Sequence, residues 1–511
     1  MPTVDRCTAI LLHISSLPGR YGIGDLGAGF AFVDFLVKAG VRVWQFLPTC
    51  PTSGAFCHSP YMGYSACAGN PLFISPDMMV DSGFIGAADS KVLEPSSEYS
   101  VDFDYAAAVR QPLFSKAYRR LSPEKRRLFE DFCRREHAWL DDFALFAVMR
   151  ERFDQAAWNN WPLALVRRDA DELAAFQRQN RQDVEFHKFC QYLFSEQWHR
   201  LQDYARQQGI LLFGDIPIYV SHDSSDVWAN QPCFDLDRGS GLPRHVAGVP
   251  PDYFSATGQR WGNPLYLWRH KGQVNKALYT WWRQRFKVLA GMLDLVRIDH
   301  FRAFESYWQI PAREKTAVKG VWQKGPGTFF FQEMTEALAH LQIVAEDLGM
   351  ITPEVEKLRD ELGFPGMKIL QFAFDSDADN IYLPHNISDP NCLIYTGTHD
   401  NDTSVGWYFD TEVPERSKER LRRYANSDGR AIHHDFMRLA LSSTARMAVL
   451  PMQDILGFGT DCRMNRPATV EGNWLWRCAP RYLNDDVAMF VRQENEFYGR
   501  LFFQESDTED T

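Results

Sequence analysis

"LDLVRIDHF", residues 293–301, decides how the chain is read. Leu293, Leu295, Val296 and Ile298 form a short apolar run of the kind that makes a buried strand. The run ends on Arg297, Asp299 and His300. Charge at the end of a buried strand is costly unless it is paired or used. In a barrel of alternating strands and helices, the C-terminal strand ends carry the active site. The stretch therefore asks whether the rest of the chain repeats its form.

Seven other runs do: "TAILLHISS" (8–16), "VRVWQFLP" (41–48), "ILLFGDIPIYV" (210–220), "QIVAEDLG" (342–349), "GMKILQFAF" (366–374), "CLIYTGTHD" (392–400) and "RMAVLPMQDIL" (446–456). Most are followed by helical periodicity. "AGFAFVDFLVKAG" (28–40) puts Phe32, Phe35 and Leu36 on one face and stops at Gly40. "TPEVEKLRDELG" (352–363) opens with a Thr N-cap and a Pro at the first helical position, and ends on Gly. Strands that alternate with helices form a parallel sheet. Eight such units are the count of an α/β fold of the (β/α)8 TIM-barrel type.

Insertions interrupt the rhythm. Residues 1–84 start the barrel with strands 1 and 2. Residues 85–205 read as a mainly helical insertion, in which Ser122 begins a long charged helix (122–153). Residues 206–220 hold strand 3. Residues 221–290 read as a loop-rich insertion, dense in Pro, Gly, Asp, Asn and Trp up to about 270. Residues 291–511 complete the barrel.

Composition narrows the function. The 511 residues carry 55 Lys and Arg against 66 Asp and Glu, a formal net charge of −11. That balance argues against nucleic-acid and anionic-membrane partners, and no obligate protein partner is implied. The ten cysteines contain no C-x-x-C pair, and Cys50, Cys57 and His58 are too sparse for a metal cluster. Free thiols suit a reducing compartment, and a cytoplasmic location is expected. The apolar run Ala9–Leu12 is too short for a signal-peptide core, and no apolar run is long enough to span a bilayer. "GIGDLG" (22–27) fits G-x-G-x-x-G, but "SSLPGRY" separates it from the preceding strand and the next strand ends without an acid, so no dinucleotide cofactor is expected.

The ionisable residues at the strand ends are Asp215, Arg297, Asp299, His300, Glu346, Asp347, His399, Asp400 and Asp402. Carboxyl groups converging on one rim push their pKa values apart, so one stays ionised while another holds a proton. That split suits glycosidic-bond chemistry. A set of turn caps or a structural ion-pair cluster would use the same residue types.

"SSLPGRYGIGDLG", "SPYMGYSACAGNPLFI", "FGDIPIYVSHDSSDVWAN", "AGVPPDYFSATGQRWGNPLY", "LVRIDHFRAFESYWQIPA", "VAEDLGMITPEV", "YTGTHDNDT" and "RMNRPATVEGNWLWR" go further. Across nearly its whole length the chain resembles the 4-α-glucanotransferases, or amylomaltases, of glycoside hydrolase family 77 in the α-amylase superfamily. The resemblance implies transfer of α-1,4-glucan segments from a donor malto-oligosaccharide to the 4-hydroxyl of glucose or another glucan. It implies Asp299 as nucleophile, Glu346 as general acid/base and Asp400 as the third carboxylate. It further implies Arg297 orienting Asp299, His399 and Tyr61 on the same glucose, and Asp215, Asn465, Tyr253, Phe254 and Trp261 among the substrate-binding residues. The last three lie in or beside "PPDYFSATGQRW" (250–261), an aromatic cover expected on the acceptor side. Neither a calcium ion nor any other cofactor is implied. Ala468 stands where the resemblance leads one to expect Gly, which bears on the shape of one rim loop. A hydrolytic α-amylase-like glycosidase and a non-catalytic glucan-binding protein are the competing expectations.

Overall fold

All eight apolar runs form strands of one sheet. The computed structural model describes residues 6–91, 97–251 and 255–502. The strands are β1 (Cys7–Leu11), β2 (Val43–Gln45), β3 (Leu211–Pro217), β4 (Leu295–Asp299), β5 (Gln342–Ala345), β6 (Gly366–Ile369), β7 (Cys392–Tyr395) and β8 (Met447–Pro451). Their lateral order is β5-β4-β3-β2-β1-β8-β7-β6, and every ladder is parallel. The first strand pairs with the last, from Cys7↔Met447 to Leu11↔Pro451, which wraps the sheet into a barrel. Both faces are covered, so the strands read as near-continuous apolar runs rather than alternating ones.

The barrel closes between β5 and β6, and there the described residues form no ladder. The Ala345 N–H donates to the Pro365 carbonyl at 2.9 Å. The Met367 N–H donates to an Asp347 carboxylate oxygen at 2.7 Å, and Arg359 pairs with the same carboxylate. Gly366 is required here because a Cβ would lie 2.3 Å from Asp347 Oδ2.

Helix α1 (Leu26–Lys38) lays Phe32 against Trp44 of β2, ring centroids 5.0 Å apart. It stops where expected, with Gly40 left-handed at φ +63°. Asp25 caps its start, accepting from the N–H groups of Gly27 (3.0 Å) and Ala28 (3.2 Å). The buried Arg110 guanidinium holds the other Asp25 oxygen at 3.2 Å. A carboxylate thus fills the helix N-terminus that a dinucleotide's phosphates would need, so "GIGDLG" is a turn and cap.

Three long helices lie between β2 and β3: α2 (Phe103–Arg119), α3 (Pro123–Arg152) and α4 (Arg181–Gln207). Ser122 caps α3 by accepting from the Lys125 N–H at 3.3 Å. Helix α4 leads into β3 and packs on α1, with Leu201 over Gly29, where a Cβ would come within 2.7 Å. Two buried α4 side chains grip the loop that follows β2. Gln191 gives and takes one hydrogen bond each with the Gly69 peptide groups (2.9 and 2.8 Å). Gln197 does the same at Ser75 (2.9 and 2.7 Å).

Part of the stretch read as loops is sheet. His245–Val249 and Gln259–Pro264 pair with each other, and the former also pairs with Ser306–Pro311, which pairs with Val321–Lys324. The result is a four-stranded antiparallel sheet standing beside the end of β4. The two outer pairings join segments close in sequence, but the central one, His245–Val249 with Ser306–Pro311, spans a whole helix and β4, and no local signal announces it. Among the described residues no helix is long and apolar enough to cross a membrane.

Candidate active site

The site begins with strand register. Asp215 of β3 lies opposite Arg297 of β4, and Pro217 lies opposite Asp299. Residues two apart on a strand share a face, so Arg297 and Asp299 point the same way. Arg297 Nε donates to Asp215 Oδ2 at 3.0 Å and Nη2 donates to Asp299 Oδ1 at 2.8 Å. The Arg297 and Asp215 side chains are buried, whereas the Asp299 side chain is 34% exposed. The Tyr61 hydroxyl donates to Asp215 Oδ2 at 2.6 Å. Asp215 thus balances the guanidinium inside the barrel, and Arg297 presents Asp299 to the cleft.

On the other side, Ala345 of β5 lies opposite Ile298. One further residue on each strand brings Glu346 beside Asp299, on strands about 4.8 Å apart. Glu346 Oε2 accepts from the His300 N–H at 2.7 Å and Oε1 from the Leu348 N–H at 2.8 Å. His300 adopts φ +55°, and this left-handed turn brings its N–H onto Glu346. Such a conformation costs about 1–3 kcal/mol and persists where surroundings enforce it. The buried His300 ring meets Trp261 edge-on, centroids 4.7 Å apart. Burial, with Arg302 adding to it, lowers its imidazole pKa to about 3, so the ring is neutral.

Burial is also the largest influence on the two acids. It raises the Asp299 pKa, Arg297 opposes it, and Glu346, Asp215 and Asp400 add to the rise. Glu346 is raised by burial as well, with Arg297 and the two N–H groups opposing. Two adjacent carboxyls that both resist ionisation can share one proton.

The third acid follows β7. Asp400 Oδ1 accepts from Asn465 Nδ2 at 2.6 Å and lies 3.3 Å from His399 Nε2. The Asn465 N–H donates to the His399 carbonyl at 3.1 Å, and Arg463 donates to the Asp400 carbonyl at 2.6 Å. The Asp400 side chain stays 48% exposed to the cleft. The His399 ring stacks on Tyr61, centroids 5.1 Å apart and 14° from parallel. Burial lowers the His399 pKa despite the Asp400 charge. Trp474 completes a wall of rings, 6.0 Å from Tyr61 and 6.1 Å from His399.

Trp474 was not singled out from the sequence. It carries no reactive group, and its place depends on a left-handed backbone, φ +64°. Ala468 has the same φ, which accounts for the glycine expected there. Of the rim residues, Asp215, Arg297, Asp299, His300, Glu346, His399 and Asp400 come together, with Tyr61, Trp261 and Asn465. Asp347 turns instead to the barrel seam. Asp402 serves its own loop, accepting from the Thr403 N–H at 2.7 Å and the Thr460 hydroxyl at 3.0 Å. Tyr253 and Phe254 lie outside the described residues. Among those described, no group of three or more His, Cys, Asp or Glu residues is placed to hold a metal ion.

The family model described as 4-alpha-glucanotransferase matches residues 12–483. The chain belongs to the 4-alpha-glucanotransferase family. A family member from Synechocystis is 47% identical over 510 residues, covering 98% of this chain and 99% of its own. One from Thermus thermophilus is 43% identical over 508 residues, with 97% and 99% covered. Among solved structures, the amylomaltase of Streptococcus agalactiae in complex with acarbose superimposes with a TM-score of 0.91 at 37% identity, covering 97% of this chain and all of that one. An amylomaltase from Corynebacterium glutamicum shares the family fold at 18% identity, with a TM-score of 0.73 over 98% of this chain and 75% of its own.

Proposed function

We propose that the protein is a 4-α-glucanotransferase that moves α-1,4-glucan segments between malto-oligosaccharides by a retaining double displacement. The observation that carries this reading is one pair of neighbours. Asp299 is held by a guanidinium at 2.8 Å, and Glu346 stands beside it on the next strand with both oxygens oriented by peptide N–H groups. Retaining chemistry asks for carboxyl groups about 5–5.5 Å apart, and neighbouring strands supply that spacing.

Arg297 favours the charged form of both carboxyls but hydrogen-bonds only Asp299, and this reading takes that contact to keep Asp299 ionised while the shared proton sits on Glu346. Each Glu346 oxygen accepts one N–H and keeps a lone pair free to carry that proton. Asp299 attacks the anomeric carbon of the donor glucan while Glu346 protonates the departing glycosidic oxygen. The bond to that oxygen breaks and a β-linked glycosyl ester on Asp299 forms. Glu346, now ionised, removes the proton from the 4-hydroxyl of an acceptor sugar, which displaces Asp299 and restores the α-linkage. Asp400, fixed by Asn465 and His399, takes hydroxyls of the reacting glucose and favours its positively charged transition state. Tyr61, His399 and Trp474 wall the same sugar.

Glucose, malto-oligosaccharides and longer α-1,4-glucans are the substrates of this reading. Ten scattered cysteines without a C-x-x-C pair are consistent with action in a reducing compartment such as the cytoplasm. Incubation with maltotriose tests the reaction: a transferase yields glucose together with a ladder of longer maltodextrins. Products no longer than maltotriose would show a hydrolase instead. Tyr253 and Phe254 are proposed as a cover that keeps water from the ester. Replacing either by Ala raises the ratio of hydrolysis to transfer, measured as reducing ends released per transfer event; an unchanged ratio removes the cover from the mechanism.

A further inference from the structure

We propose that Trp322 and Met350 form a stacking platform for the acceptor glucan, beyond Glu346 and away from Tyr61. The inference rests on the transferase reading and deepens it by assigning where the incoming chain lies. The cleft has a direction. On one side of the reacting bond the rings of Tyr61, His399 and Trp474 wall the donor sugar. The leaving oxygen, and afterwards the attacking hydroxyl, must face Glu346. We place the chain attached to that oxygen on the Glu346 side, where Arg302, three residues beyond Asp299, reaches the loop that follows Glu346 and feels the Glu346 charge.

The Arg302 guanidinium organises what the chain would meet. It lies 4.0 Å from the centroid of the Trp322 ring. It also donates to the Met350 carbonyl, four residues beyond Glu346, and to the Ser306 hydroxyl at 3.3 Å. Trp322 belongs to Val321–Lys324, the outer strand of the antiparallel sheet. Trp308, directly opposite in register, holds the Trp322 ring from its edge with centroids 5.2 Å apart. Trp322 is thus braced by two neighbours yet remains 38% exposed, and Met350 is 50% exposed. Arg302 is buried and its Nε has no partner among the described residues, so the pair is not simply the cover of a finished apolar core.

A glucan offers apolar C–H faces edged by hydroxyls. A rigid indole beside a flexible thioether matches such a face, and the arginine's tie to the peptide of Met350 keeps the two together. The occupant is an α-1,4-glucan because Arg302 and Met350 follow the two reacting acids at neighbouring strand ends, and those acids act on that linkage.

The test uses α-maltotriosyl fluoride as donor, whose fluoride leaves the acceptor side empty, with glucose, maltose, maltotriose and maltopentaose as acceptors. In the wild-type protein kcat/KM for the acceptor rises with its length. In Trp322→Ala the ratio of kcat/KM for maltopentaose to that for glucose falls about five- to tenfold, through the acceptor KM. Met350→Ala gives a smaller fall, and Trp322→Phe restores the ratio. A ratio unchanged in Trp322→Ala overturns the proposal, as does an equal loss with every acceptor, which marks Trp322 as mere support for the sheet. Absence of transfer by the wild-type protein with any acceptor overturns the functional reading and this one with it.

Discussion

Arg297 touches two carboxylates, Asp215 and Asp299, and its charge acts on Asp299 and on the nearby Glu346. The guanidinium lowers the Asp299 pKa against burial and the other acids. Arg297→Met removes that pull, so the Asp299 pKa rises and less of it is ionised at a given pH. The acid limb of kcat/KM therefore moves to higher pH, which a profile on maltotriose measures; a limb that stays in place denies Arg297 this part. Glu346→Gln keeps an acceptor oxygen for one of the two peptide N–H groups, sets its NH2 against the other, and has no acidic proton to give. The expected loss in kcat is about 10²–10⁴-fold, and a variant of near wild-type rate removes Glu346 from catalysis. Asp299, Glu346 and Asp400 were legible because reactive groups at strand ends stand out, and the family resemblance supplied their roles. Trp474 was not, because an aromatic in a Gly- and Asn-rich turn looks like any other until its φ is known.

At the scale of elements, the barrel strands were visible as apolar runs and their helices as periodic ones. What escaped was contact between elements distant in sequence. The antiparallel sheet joins segments on either side of β4, and nothing local records that. The grip of α4 on the loop after β2 was equally hidden, since a buried glutamine resembles an exposed one in sequence. That loop carries Tyr61, so α4 supports the wall of rings that Tyr61 forms with His399 and Trp474. Gln197→Leu leaves the Ser75 N–H unpaired in a dry environment, while the Ser75 carbonyl keeps the Met79 N–H at 3.1 Å. The stranded N–H costs about 1–3 kcal/mol, so the variant melts at a distinctly lower temperature by calorimetry. Melting at the wild-type temperature would mean that water or a shifted backbone replaces the amide.

Among the described residues the barrel strands are joined by ladders all round except at one seam. There one peptide hydrogen bond, from Ala345 to Pro365, is joined by the Asp347 side chain in place of a ladder. Asp347→Ala strands the Met367 N–H and leaves Arg359 with Asp360 alone, so the β5 and β6 amides exchange with deuterium faster than those of β1 and β8. Equal protection in both places would show that the seam does not depend on this carboxylate. Asp347 was legible only as one more acid at a strand end.

The unequal sides of β5 bear on how the enzyme fails when warmed. Glu346 follows a strand with a ladder along one flank only, whereas Asp299 ends a strand with ladders along both. Heat loosens Glu346 first, while Asp299 keeps its place. Turnover then fades at temperatures where circular dichroism still records an intact molecule, and cooling restores it. A cross-link tying residues on either side of that open flank lengthens the working range without adding anything to the cleft.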